Sequence, residues 1–234
     1  MRRKGGMFGC AAAYGNSMKK SFLSLILLCG LMPVLSACGG GDDTAYLSEA
    51  RSDLFCAETE AFSLTLACVS REYPYIADGI PCEMSDLVEI TLEDRQDAED
   101  YRVFVLGERE YGGEMSYRSI RDDYFYSQGV DVFPQGSVSL RVEWEGGSCE
   151  VAATSVKTAD TLSVKDALKK AEEAVPEQMK ALRQDGRLNA EFYVRLLKRD
   201  KPYYYVGITD RDGNTLSLLL DGATGEVLAR RDPK

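Results

Sequence analysis

The sequence predicts a mostly β protein in two parts: an antiparallel β-sandwich over residues 44–158 and an α+β module, a helix packed on a small antiparallel sheet, over 159–234. Three observations carry that expectation. Apolar residues recur at every second position in short runs between Ala61 and Ala153, with Gly, Asp or Pro-Gln-Gly between the runs. The spacing switches to steps of three and four after Leu162, then returns to two after Gly186. The composition, 44% hydrophobic and 28% charged, belongs to a globular chain rather than a disordered one.

Taken in order, Ala61 to Ser70 puts Phe62, Leu64, Leu66 and Cys68 on one face of a strand and Ser63 and Thr65 on the other. Leu87 to Leu92, Tyr101 to Leu106, Glu114 to Ile120, Gly129 to Phe133 and Ser137 to Trp144 are expected as further strands. In the last of these Val138, Leu140, Val142 and Trp144 alternate, and Gly146-Gly147 turns the chain back into Cys149, Val151 and Ala153, a hairpin pattern. Short strands with turns roughly every 8–12 residues predict a sandwich of immunoglobulin-like type, with Trp144 in its core.

The second part opens at Ser163, whose hydroxyl is placed to cap the amide of Asp166. Val164, Leu168, Ala171, Val175, Met179 and Leu182 then mark one apolar face of a helix. Pro176 lacks an amide hydrogen and crowds the carbonyl of Glu172, so a kink is expected there. Gln184-Asp185-Gly186 ends the helix, and strands are expected at Leu188 to Lys198, Tyr203 to Asp210, Asn214 to Leu220 and Glu226 to Arg230.

The run Tyr205-Val206-Gly207-Ile208, the turn Asp212-Gly213, Leu218-Leu219-Leu220 and Asp221-Gly222-Ala223-Thr224-Gly225-Glu226-Val227-Leu228 together resemble the PepSY domain, and Ser163, Ala167, Leu168 and Ala171 match its helix opening. The long helix with Pro176 and the strand at Leu188 to Lys198 depart from that pattern. PepSY modules occur in propeptides of secreted zinc metalloproteases and in envelope lipoproteins. The resemblance therefore implies a partner-binding or protease-restraining role, and it brings no catalytic residues with it. Within the motif, Asp221 and Thr224 are expected to satisfy turn backbone groups and Gly225 to supply a positive φ.

Ahead of both parts, Met18-Lys19-Lys20 leads into an apolar stretch from Phe22 to Leu35, broken by Pro33 and followed by Ser36-Ala37. A basic start, an apolar middle and a small-residue site define an export signal. The stretch falls short of the ~20 residues that cross hydrocarbon. Leu35-Ser36-Ala37-Cys38 resembles the lipobox of bacterial lipoproteins, which implies cleavage before Cys38 and acylation of its sulfur. On that reading residues 1–37 are the signal peptide, initiated at Met18 rather than Met1, and 38–43 a Gly-rich tether. The bilayer is then a partner through acylated Cys38, and the location is the extracytoplasmic face of the cell membrane.

Charge and residue usage exclude several function classes. The chain holds 28 Lys plus Arg, 38 Asp plus Glu and no histidine, for a net charge of −10. Removal of residues 1–37 takes away five basic residues and no acidic one, which moves the net charge to −15. A nucleic-acid binder needs a basic footprint, so nucleic acid is not expected as a partner. Without histidine there is no Ser-His-Asp or Cys-His catalysis and no His-ligated metal. Cys56, Cys68, Cys82 and Cys149 allow three disulfide pairings or stand as free thiols, and their spacing matches no metal knuckle.

The remaining constellations have structural explanations. Asp210, Asp212, Asn214 and Asp221 fall at calcium-loop spacing, but Thr215 occupies the position that requires glycine. Glu108, Glu110 and Glu114 flank a Gly112-Gly113 turn, and Glu172-Glu173 lie on the polar side of the helix. Ser163-Val164-Lys165-Asp166 lacks the S-x-x-K spacing. No catalytic residue, metal or cofactor is expected. Tyr203-Tyr204-Tyr205 is the candidate partner-binding row, with alternate rings on opposite faces of the strand. The expected function is that of a tethered, non-enzymatic protein-binding module acting on an envelope or secreted protein such as a peptidase, or a surface protein whose sandwich is the binder.

Overall fold

The computed structural model describes residues 43–73, 80, 82–96 and 98–233. Leu35, Ser36, Ala37, Cys38 and most of the tether lie outside the described residues. The architecture is mostly β and antiparallel, as the period-two runs require.

A short 3-10 turn at Asp43–Tyr46 leads into β1 (Leu47–Glu58), which pairs with β2 (Phe62–Glu72), and β2 with β3 (Met84–Asp94). Then come β4 (Arg102–Leu106), β5 (Tyr111–Glu114), β6 (Ser116–Arg118) and β7 (Asp123–Gly129). β8 (Ser137–Trp144) and β9 (Gly147–Ser155) form the expected hairpin. Helices α1 (Val164–Ala174) and α2 (Pro176–Leu182) follow, with a two-residue hairpin of β10 (Arg183–Gln184) and β11 (Arg187–Leu188) behind them. The chain ends in β12 (Ala190–Lys198), β13 (Pro202–Asp210), β14 (Thr215–Asp221) and β15 (Val227–Arg231), an antiparallel meander.

β1 is the junction of the molecule. One edge pairs with β2 along almost its whole length. The other is shared: Leu47–Arg51 runs parallel to β12 and Phe55–Cys56 antiparallel to β9. The sheet therefore passes without a break across residues 158 and 159, in the order β15-β14-β13-β12-β1-β2-β3-β7-β6, with β9-β8-β4-β5 branching from β1.

Two hydrophobic clusters fill the interior. In the first, Ala167, Leu168 and Ala171 of α1 and Met179 of α2 meet Phe192, Val194 and Leu196 of β12, Tyr204, Val206 and Ile208 of β13, and Leu216, Leu218 and Leu220 of β14. Each fully buried side chain of this size contributes roughly 1.5–3 kcal/mol. Leu54, Ala67 and Val69 of β1 and β2 belong to the same cluster, so the amino-terminal strands help to bury the carboxy-terminal module. In the second, Phe55, Phe62, Leu64, Leu66, Val88 and Ile90 of β1–β3 meet Val103, Val138, Leu140 and Val142 of β4 and β8. Trp144 lies at its margin, edge-on to Phe62 with ring centroids 6.1 Å apart.

Several expected elements differ in detail. The single kinked helix is two helices. Val175 leaves helical geometry at φ −133° and ψ 52°, and Pro176 starts the second helix, where its missing amide is not needed. Glu114 to Ile120 is interrupted at Met115, whose amide bonds the carbonyl of Tyr101. There the chain leaves β4, the partner of β5, for β7, the partner of β6. Gly129 to Phe133 is not a strand: β7 ends at Gly129, and the Val130 amide closes the ladder onto the Asp86 carbonyl. The expected strand from Leu188 begins at Ala190, because Leu188 is taken by the small hairpin around Asp185-Gly186. The four cysteines are free thiols. Cys68 is buried, and that burial pushes its pKa up to about 12.

Candidate functional site

The helices cover one side of the β12–β14 sheet, and alternation sends the intervening residues to the other. On β12 these are Glu191, Tyr193, Arg195 and Leu197, and on β13 Tyr203, Tyr205, Gly207 and Thr209. Directly paired residues share a face, so the ladder extends this side into the amino-terminal strands. Tyr193 lies beside Glu49, and Glu49 beside Arg71; Tyr205 lies beside Arg195, and Arg195 beside Arg51.

Charge organises this face. Glu49, only 2% exposed, accepts two bonds from the Arg195 guanidinium, at 2.7 and 2.9 Å, and lies 4.0 Å from Arg71. Glu89 takes Arg71 at 3.0 Å and Arg51 at 3.6 Å. Burial lowers the pKa of Arg51, and the two glutamates oppose that shift. With Glu191, fully buried on the same side of β12, the face sets three arginines against three glutamates. Arg71 and Arg195 keep about a third of their side-chain surface in solvent.

Aromatic rings line the same face. The Tyr193 and Tyr205 centroids lie 5.9 Å apart, and the Arg195 guanidinium sits 5.0 Å from the Tyr193 ring centroid. Tyr193 can lie flat because Gly207 is beneath it: a β-carbon at 207 would come within 2.1 Å of the ring. The hydroxyls of Tyr205 and Ser217 are 2.9 Å apart, and those of Thr209 and Thr215 are 3.0 Å apart. Burial raises the pKa of Tyr193, which keeps its hydroxyl protonated at neutral pH. Fixed guanidinium charge beside the partly exposed Tyr205 ring suits the recognition of peptide or carboxylate groups.

The three tyrosines of the candidate row separate. Tyr204 is fully buried in the helix-side cluster, its hydroxyl donates to the Leu162 carbonyl at 2.7 Å, and burial pushes its pKa up to about 12. It is a core residue and offers no surface. Tyr203 donates to Asp200 at 2.8 Å and lies 5.6 Å from the Lys201 ammonium. Tyr203 and Tyr205 share the side away from the helices, and Tyr205 is the one paired with Arg195. Glu49, Arg51, Arg71, Glu89 and Arg195 are additions from the structure. The alternation of Glu191, Tyr193 and Arg195 against Phe192, Val194 and Leu196 was the visible signal for one of them.

The turn carboxylates are occupied. Asp221 accepts from the amides of Ala223 and Thr224, both at 2.9 Å, and from Lys201 at 2.5 Å. Asp210 accepts from the amides of Asp212 at 2.9 Å and Asn214 at 2.8 Å, which makes it a turn cap. Among the described residues no group of three or more Cys, Asp or Glu is arranged to hold a metal ion, and no helix is long and apolar enough to cross a membrane.

A second concavity of about 1060 Å³ opens between the β4–β5 and β7–β8 connections. Val105, Tyr111, Phe133 and Val138 line it, with Glu108 and Asp131. The segment expected as a strand at Gly129 to Phe133 forms one wall. No family model, curated protein or solved structure matches this chain.

Proposed function

We propose that this chain is a lipid-anchored protein of the bacterial cell envelope, held at the extracytoplasmic face through acylated Cys38, that binds another protein and restrains a secreted or surface peptidase. On this reading β1–β9 are an immunoglobulin-like β-sandwich, and α1, α2 and β12–β15 are a PepSY-like module. The second hydrophobic cluster, drawn from β1–β3 on one side and β4 and β8 on the other, supports the sandwich. Two helices over a four-stranded antiparallel meander support the PepSY-like module.

The observation that carries the reading is the Tyr193–Tyr205–Arg195 face, where the Tyr205 ring and the Arg195 guanidinium stand partly exposed over the buried Tyr193, on the side of the sheet that the helices leave open. Aromatic and arginine side chains dominate protein–protein contacts, the aromatics because they bury area at low entropic cost and arginine because its planar fork bonds and stacks at once. The role needs no catalytic group and no cofactor. The groove between the β4–β5 and β7–β8 connections favours a second reading, a ligand-presenting surface protein whose sandwich is the binder.

Capture with the full chain separates the two. Envelope and secreted extracts are passed over wild type, Tyr203→Glu/Tyr205→Glu and Phe133→Glu, and the retained proteins are assayed for proteolytic activity with and without added chain. A peptidase retained and inhibited by wild type, and lost with the tyrosine variant, fits the first reading. Loss with Phe133→Glu alone transfers binding to the groove. The anchor is tested apart: Cys38→Ser should abolish incorporation of labelled fatty acid, and unchanged membrane association of that variant would sink the anchor.

A further inference from the structure

β15 is the last strand of the sheet, and its outer edge meets no strand among the described residues. All five of its residues are exposed, including Val227 and Leu228. The ends of the other branches are poorer templates: β6 has three residues, and β5 carries Gly112-Gly113. An open edge is a template for another strand, and proteins guard such edges with bulges and charges. Here the guards are a bulge, in which Leu228 has no partner on β14, and the pair Arg230-Arg231.

We propose that two copies of this chain pair antiparallel along β15. The segment Glu226-Val227-Leu228-Ala229-Arg230-Arg231 is complementary to itself. Centred between Leu228 and Ala229, the pairing sets Glu226 of each copy opposite Arg231 of the other and Val227 opposite Arg230. Neither Glu226 nor Arg231 makes an ion pair among the described residues. Arg230 keeps its own Asp232, at 2.6 and 3.0 Å. The contact is isologous, so each favourable pair occurs twice. Arg231, which repels an arbitrary basic strand, meets the Glu226 carboxylate of a second copy, while Arg230 stays paired with its own Asp232.

The register also fixes how the two sheets join. Val227 pairs with Leu220 and Arg230 with Leu218, and both leucines belong to the helix-side cluster. Setting Val227 against Arg230 therefore joins helix side to helix side. The two tyrosine–arginine faces then form one surface, twice as wide, on the other side.

Sedimentation equilibrium of the full-length chain tests the pairing, with wild type, Glu226→Arg, Arg231→Glu and the double reversal. Wild type is expected to run as a concentration-dependent monomer–dimer. Each single reversal should weaken association about tenfold, because opposed like charges replace both pairs, and the double reversal should restore it. These positions are exposed, so thermal midpoints should stay level across the set. A wild type monomeric at every concentration overturns the proposal. So does a dimer indifferent to single reversals, or a double reversal that fails to restore it.

Discussion

Asp221 shows how one side chain closes a loop. The bond from Lys201 and the amides of Thr224 and Ala223 hold its carboxyl well below the usual carboxylate range. A depressed folded-state pKa means the stabilisation is present at neutral pH and is lost as pH falls through that value. Asp221→Asn should cost about 1–3 kcal/mol at pH 7, and its deficit against wild type should shrink as pH drops below about 4. Urea titrations at the two pH values read both effects, and a deficit that stays constant would refute the assignment. Gly207 is tested differently. Gly207→Ala drives a methyl into the Tyr193 ring, so a loss of about 1–3 kcal/mol is expected, together with a changed near-ultraviolet tyrosine circular dichroism signal. An unaltered signal would mean that the ring does not rest on residue 207.

At the level of elements, the parallel seam between β1 and β12 depends on Glu49. It is buried between Arg195 and Arg71, so Glu49→Gln leaves two cations poorly matched at the seam. Breaking a buried pair costs ~3–5 kcal/mol; with Arg195 a third exposed, about 2–3 kcal/mol is expected. The exposed pair Arg95–Glu58 should yield under about 1 kcal/mol. A double-mutant cycle on Glu49 and Arg195 checks the coupling, and additive losses would argue against it. The same seam explains what sequence patterning could reach. The strands of the second cluster, and β12–β14, alternate cleanly because one face is core and the other polar. β1 does not read as a strand at its start, since Ser48 bonds a backbone carbonyl and Glu49, Arg51 and Asp53 meet charged or hydroxyl partners rather than a uniform core. The tyrosine row was legible as a row, and alternation foretold that Tyr204 would part from its neighbours. The arginine–glutamate half of the site was not, because its members come from four separate strands joined only by the ladder.

That ladder joins the two halves of the described fold, from β1 to β15. Glu49 and Arg195 are separated by 146 positions in sequence yet share two hydrogen bonds. Leu54, Ala67 and Val69 bury themselves among the helices of the other half. Trp144 fluorescence reports the second cluster, while far-ultraviolet circular dichroism reports the whole sheet. The two unfolding curves should coincide in urea, and separate midpoints would show that the halves unfold independently. Cutting the chain at 158 should leave both pieces unable to unfold cooperatively, because each loses an edge of the same ladder. β1 also begins nine residues after Cys38. If the body is tugged while that cysteine is held in a membrane, the pull enters through the Asp43–Tyr46 turn, where Asp43 pairs with Arg183, and passes into β1. Drawn along the strand, such a load is borne in shear by β2 on one flank and by β12 and β9 on the other. On the proposed anchorage those bonds would have to yield together, so the load would be shared across both flanks of β1.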